Sequence, residues 1–117
     1  MLRVFQQSYH IPGTLSADIS IKFTVPFDCS LVHVSAVASN DSDATLKLGT
    51  SADDDAYLVA ATIGDSGTPV EKARADFVGT QFPHITDGTV FVATLDHDGS
   101  SGTAAQNVTI VLTFTEG

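Results

Sequence analysis

The stretch TVFVATLDHDGSSGTAAQNVTIVLTF, Thr89 to Phe114, decides the reading of this chain. In its second limb Val108, Ile110, Leu112 and Phe114 alternate with Thr109, Val111, Thr113 and Thr115. That is the period of a strand with one face on a core. The first limb is apolar at both parities, Val90 and Val92 against Phe91, Ala93 and Leu95. This pattern predicts a strand covered on both sides. Between them Asp96 to Asn107 reads as the long polar turn of a hairpin, with the two limbs as central strands.

Working outward, Ile19, Ile21, Phe23 and Val25 alternate with Ser20, Lys22 and Thr24, and Pro26 closes that strand. Leu31–Ser39 and Ala44–Leu48 follow at period two, joined by the polar stretch Asn40–Asp43, which reads as a second hairpin turn. Gly49–Asp55 is a polar loop, Tyr57–Ile63 another strand, and Gly64-Asp65-Ser66-Gly67 a break. Leu2–Tyr9 predicts a first strand, an N-terminal arm or an edge strand within residues 1–10, ended by His10-Ile11-Pro12-Gly13. One segment departs from the period of two. Thr68-Pro69-Val70-Glu71 matches a helix capping box, and Val70, Ala73 and Phe77 would share a face, predicting a short helix around 69–78 stopped by Gly79.

Seven or eight strands at this spacing in 117 residues predict one domain, residues 1–117, with an all-β fold: an antiparallel β-sandwich. Without tryptophan or a cysteine pair, the immunoglobulin form lacks its usual support, and a jelly-roll-like form is favoured. The sandwich partners expected for the two final limbs include Ile19–Val25 and Val32–Ala36.

Composition narrows the function. Apolar residues make up 43% and charged residues 16%, with 14 acidic against 5 basic residues and a net charge of −9. A domain so charged repels phosphate backbones, which argues against nucleic acid as a partner. The single cysteine, Cys29, excludes an internal disulfide and reads as a small, half-buried strand residue. MLRVFQQSYH carries no apolar signal region, so synthesis in a cytoplasm without a signal peptide is expected. No apolar run reaches the length of a membrane span, so no membrane partner is expected.

Candidate sites are few. Asp53-Asp54-Asp55, with Asp41 and Asp43 near in space, would suit Ca²⁺ only if the loop curls, because successive strand residues face opposite ways. Asp96-His97-Asp98-Gly99 resembles a calcium loop superficially, but Ser101 stands where an EF-hand needs glycine and Asn107 where it needs glutamate. Solvated acidic turns are the better reading of 41–43, 53–55 and 96–98. His10, His33, His84 and His97 show no metal-ligand spacing. No GxSxG nucleophile is present, so any triad would be a free choice among many serines, four histidines and twelve aspartates. Gly64–Gly67 before a capped helix could hold an anion, but it lacks the P-loop lysine. Asn107-Val108-Thr109 fits a glycosylation sequon that a chain without a secretion signal would not use. No enzyme activity, cofactor, metal or catalytic residue is predicted. Tyr9, Tyr57, Phe27 and Phe82 are the aromatics that a sugar-binding face would need.

The strand–polar turn–strand pattern of GTVFVATLDHDGSSGTAAQNVTIVLTFTEG, with IKFTVPFDCSLVHVSAVAS leading into ATLKLGT, resembles the small all-β virion proteins of tailed bacteriophages. Head decoration, capsid-stabilising and short head-fibre proteins are the nearest kind. The resemblance implies a cofactor-free structural protein of the virion, a homo-oligomer with a trimer favoured, whose partner is the major capsid protein or another virion protein. The alternative is a lectin-like module of a phage fibre or tail, binding carbohydrate with or without calcium.

Overall fold

In a computed structural model, which describes residues 3–117, the chain forms two antiparallel sheets packed face to face. The strands are β1 (Val4–Thr14), β2 (Ile19–Thr24), β3 (Cys29–Val37), β4 (Thr45–Thr50), β5 (Leu58–Thr62), β6 (Val70–Lys72), β7 (His84–Ile85), β8 (Val90–Asp96) and β9 (Gln106–Glu116). One sheet has the order β1-β9-β3-β6, with β7 also on β3; the other has the order β2-β8-β4-β5. The pairs are nested: β1 with β9, β2 with β8, β3 with β6, β4 with β5. The all-β sandwich read from period two is the observed architecture, and the first limb's partner is Ile19–Thr24 while the second pairs along Cys29–Val37.

The core lies between the inward faces that the alternation marks. Val108, Ile110, Leu112 and Phe114 of β9 are fully buried, as are Phe91, Ala93 and Leu95 of β8. Phe114 and Phe91 meet edge to face across the two sheets at 5.5 Å between ring centroids. Phe5 stacks on Phe114 at 4.8 Å, Phe23 on Phe91 at 5.1 Å and Tyr57 on Phe91 at 5.8 Å, carrying the aromatic packing from β1 and β2 towards β5. Such pairs each add about 0.5–1.5 kcal/mol beyond the area they bury. Val92 is buried on the opposite face of β8. It pairs with Gly49, whose missing side chain leaves room for the backbone of Asp53–Ala56 to fold over that face. The two-sided burial expected of this limb therefore has a specific cover.

Several expectations are corrected. Thr89–Phe114 is not a hairpin: β8 and β9 lie in different sheets, and residues 97–105 cross between them. Nor is Asn40–Asp43 a hairpin turn, since β3 and β4 also lie in different sheets. The two crossovers are tied together. The Asn40 Nδ2 donates to the Ala104 carbonyl at 2.9 Å, its Oδ1 accepts from the Gln106 amide, and the Asp43 Oδ2 accepts from the Thr103 amide at 2.7 Å. The polar residues that read as turns are instead the bonds that fasten one crossover to the other.

The helix expected at 69–78 is absent. Val70–Lys72 is strand β6, paired with Val34–Ala36, and Arg74–Asp76 and Val78–Thr80 are single 3₁₀ turns. An open edge of β3 beside a buried core leaves main-chain groups that need partners, and this demand outweighs a local capping pattern. The first strand also runs further than expected. It continues to Thr14, with a register shift between Ile11 and Thr14 where Pro12 and Gly13 lie. Proline is tolerated there because β1 is an edge strand. Leu2 lies outside the described residues.

Candidate interaction surface

The feature that stands out is a sheet face that carries a single carboxylate. β1, β9, β3 and β6 turn their core-facing residues inward, so the other parity forms one outer face. It carries Val4, Gln6, Ser8 and His10 on β1, and Thr109, Val111, Thr113 and Thr115 on β9 beside them. His33, Ser35 and Val37 on β3 and Glu71 on β6 complete it. Its one carboxylate, Glu71, is bonded to His33 Nε2 at 3.1 Å. Side chains stitch the face along its rungs: the Gln6 Nε2 donates to the Thr113 Oγ1 at 3.1 Å, and His10 Nδ1 lies 3.0 Å from the Thr109 Oγ1. At the end of the sheet Arg3 pairs with Glu116 and lies over the Phe27 ring at 4.0 Å, which fastens the start of β1 to the end of β9. The Arg3 guanidinium holds the Glu116 carboxyl below its ordinary range.

The acids lie elsewhere, mostly in connections. Asp53, Asp54 and Asp55 do curl together in the loop after β4, where the amides of Asp53 and Ala56 are bonded to Thr50 and Asp53. Lys47 Nζ neutralises Asp54 at 3.1 Å, and a hydrogen bond with Asp53 raises the Asp55 carboxyl above its ordinary value. Asp41 and Asp43 are not their neighbours. They precede β4 and the aspartate run follows it, so the strand's six residues, roughly 20 Å, separate them. Asp41 lies instead against Asp65, whose carboxyl raises it.

Asp96 and Asp98 stay joined, the Asp98 amide donating to the Asp96 Oδ1 at 2.9 Å. The Asp98 backbone turns left-handed (φ 47°), and its carboxylate accepts from the Ser101 hydroxyl at 2.6 Å. Asp96 and His97 converge with Asp18, a residue that no spacing pointed to because it lies 79 positions away. The His97 Nδ1–H and backbone amide both donate to the Asp18 Oδ1, at 2.7 and 3.1 Å, and these bonds lower the Asp18 carboxyl from its ordinary value. An ionised carboxylate only accepts, so the ring proton sits on Nδ1. The histidines are dispersed: His10, His33 and His97 are each engaged as above, and His84 is exposed on β7.

Gly64–Gly67 is a tight crossing rather than an anion cradle, because strand β6 and not a helix follows it. Cys29 opens β3 fully buried, more enclosed than the half-buried position expected. The Asn107 side chain accepts from the Gly13 amide at 2.8 Å and donates to the Ser39 hydroxyl. Tyr9, Tyr57 and Phe27 pack against the core, so of the four aromatics proposed for a sugar platform only Phe82 is exposed, at 42%. The outer face was missed in the sequence. Its signal was legible in one respect: no acidic residue occurs before Asp18.

With the geometry in hand, comparison with known proteins places the fold. No protein-family model matches the sequence, and no curated protein does. Among solved structures, a chain of the cyanophage Pam1 capsid asymmetric unit matches with a TM-score of 0.61 and 16% identity, covering 99% of this chain and 85% of that one. A chain of the acidic stable capsid of Helicobacter pylori bacteriophage KHP30 matches with a TM-score of 0.45 and 16% identity, covering 98% and 91%. The chain therefore shares a sandwich fold with a chain found in a phage capsid.

Proposed function

We propose that this protein is a non-enzymatic structural component of a phage virion, which decorates or stabilises the capsid through protein–protein contacts as a symmetric oligomer. The observation that carries the proposal is the match in fold along nearly the whole chain to a chain of the Pam1 capsid. At 16% identity this is an argument from fold, and its force comes from agreement with the rest of the molecule. The nested order β1-β9-β3-β6 and β2-β8-β4-β5 supports reading the sandwich as a jelly roll, an architecture common in capsid proteins. The hydroxyl-rich face of the first sheet, with Glu71 as its one carboxylate, suits contact with protein surfaces rather than with a charged ligand. A lectin-like role has less support, since three of its four candidate aromatics are packed inward.

The test mixes the purified chain with shells assembled from a phage major capsid protein, the Pam1 shell being one such probe. Saturable co-sedimentation at a fixed ratio, with a higher shell melting temperature, is expected. Shells that pellet without the protein and melt unchanged would overturn the reading.

A further inference from the structure

Strand β1 combines three features that together point to a partner. It is eleven residues long, twice the usual strand length, and it forms the edge of its sheet. Among the described residues β9 is the one strand paired with it. The parity of the open side follows from its start. The Glu116 amide donates to the Arg3 carbonyl, so residues 3, 5, 7, 9 and 11 turn their main-chain groups towards β9. The amides and carbonyls of Val4, Gln6, Ser8 and His10 therefore point outward from the sheet. Edges of this kind template a further strand, and folded proteins ordinarily guard them with charges, proline or bulges. Here the guards come late: Pro12 and the register shift lie beyond Ile11, and no charged residue occurs from Val4 to Thr14. Val4 is 66% exposed.

Charge selects the occupant. On a two-fold axis each residue near the axis faces its own copy, so any charge there repels itself. A chain of net charge −9 can approach a second copy closely only where carboxylates are absent. The β1 edge is such a place, with no acidic residue before Asp18, whereas a foreign partner of opposite charge would be better served by the acidic loops. We infer that two copies of this chain join β1 to β1, antiparallel about a two-fold axis, to make one continuous sheet across the pair. The register that pairs all four outward residues sets Val4 opposite His10 and Gln6 opposite Ser8 of the second copy. A two-fold contact of this kind gives a dimer in place of the trimer that the resemblance implies.

Sedimentation equilibrium and light scattering on the purified chain, with no shell present, test the inference. The wild type is expected at twice 12.2 kDa. Ser8→Pro removes an outward amide without touching the bonds to β9, and Gln6→Asp adds a charge beside the axis. Each is expected to weaken the dimer by about tenfold or more. The double variant Gln6→Asp/Ser8→Lys sets opposite charges against each other in the inferred register and is expected to restore it. Far-UV circular dichroism and a cooperative melt establish folding of each variant. A wild type of 12.2 kDa or of three times that mass, or a dimer that every folded variant leaves intact, would overturn the inference. Because no capsid enters this measurement, its failure leaves the capsid reading standing, and loss of shell binding would leave the dimer standing.

Discussion

Gly64 is the residue whose identity the fold demands most directly. Its amide donates to the Ala36 carbonyl at 3.0 Å and its carbonyl accepts from the Ala38 amide at 2.8 Å, clamping the chain against β3. A Cβ here would run into the Thr68 carbonyl oxygen and come within 2.7 Å of the Val70 amide. Those are backbone atoms that also hold β6 in place. Gly64→Ala is expected to cost about 3 kcal/mol, read as a lower urea midpoint at an unchanged slope. Gly88→Ala is the contrast. Its φ of 81° penalises a side chain, but no atom lies within 4 Å, so the cost should stay near 1–2 kcal/mol. In the sequence Gly64 was legible as a break but not as a close approach, because Thr68 and Val70 return to it only once β6 has paired with β3. Asp18 and His97 show the same limit, since nothing local to either residue announces the other.

At the scale of elements, alternation identified strands well and connections poorly. β9 shows why alternation is reliable: Leu112 and Phe114 lie fully in the core while Val111 and Thr113 stand half-exposed on the outer face. Phe114 touches Phe5 and Phe91, so Phe114→Ala should cost about 3–5 kcal/mol. Val111→Ala, one residue away on the other face, should cost less than about 1 kcal/mol. Equal losses in chemical denaturation would show that the two faces are not distinguished as described. The connections failed for a common reason. A polar run between two strands has the same composition whether it turns back within a sheet or crosses to the other one. Asn40 and Asp43 belong to the second kind, as their bonds to Ala104, Gln106 and Thr103 show. The missing helix at 69–78 has a different cause. Thr68 to Glu71 carries a good local start signal, but β3 offers unpaired main-chain groups over Val34–Ala36, and tertiary pairing outweighs propensity.

For the whole molecule the acidic excess makes stability depend on pH in two directions. Asp41 and Asp55 have carboxyls raised above 3.8 by neighbouring carboxyls, so their repulsion weakens the fold at neutral pH and is relieved as pH falls through those raised values. Asp18 and Glu116 are lowered by their partners. Their contribution is present above the ordinary values of 3.8 and 4.5 and is lost as pH falls below them. The melting temperature should therefore rise as pH falls through the raised values of Asp41 and Asp55, and fall at lower pH as Asp18 and Glu116 take up protons. Salt should raise the neutral-pH value and flatten the rise, because these groups are exposed. A melting temperature that falls steadily from pH 7 downward would contradict this. The same charge distribution leaves the β1 edge, with no carboxylate from Val4 to Thr14, open to close approach by a second chain.

Burial by alternation is a property of neighbouring residues, so the sequence alone determined seven of the nine strands (all but β6 and β7), the inward residues of β8 and β9, the all-β class and the absence of acidic groups before Asp18. Which polar runs cross between sheets, which glycine another backbone presses against, and which aspartate meets His97 depend on contacts between residues far apart in the chain. Only the tertiary structure decided these. The stretch from Thr89 to Phe114 shows both: its two limbs are strands by local pattern, and they lie in opposite sheets because β2 and β4 hold one while β1 and β3 hold the other.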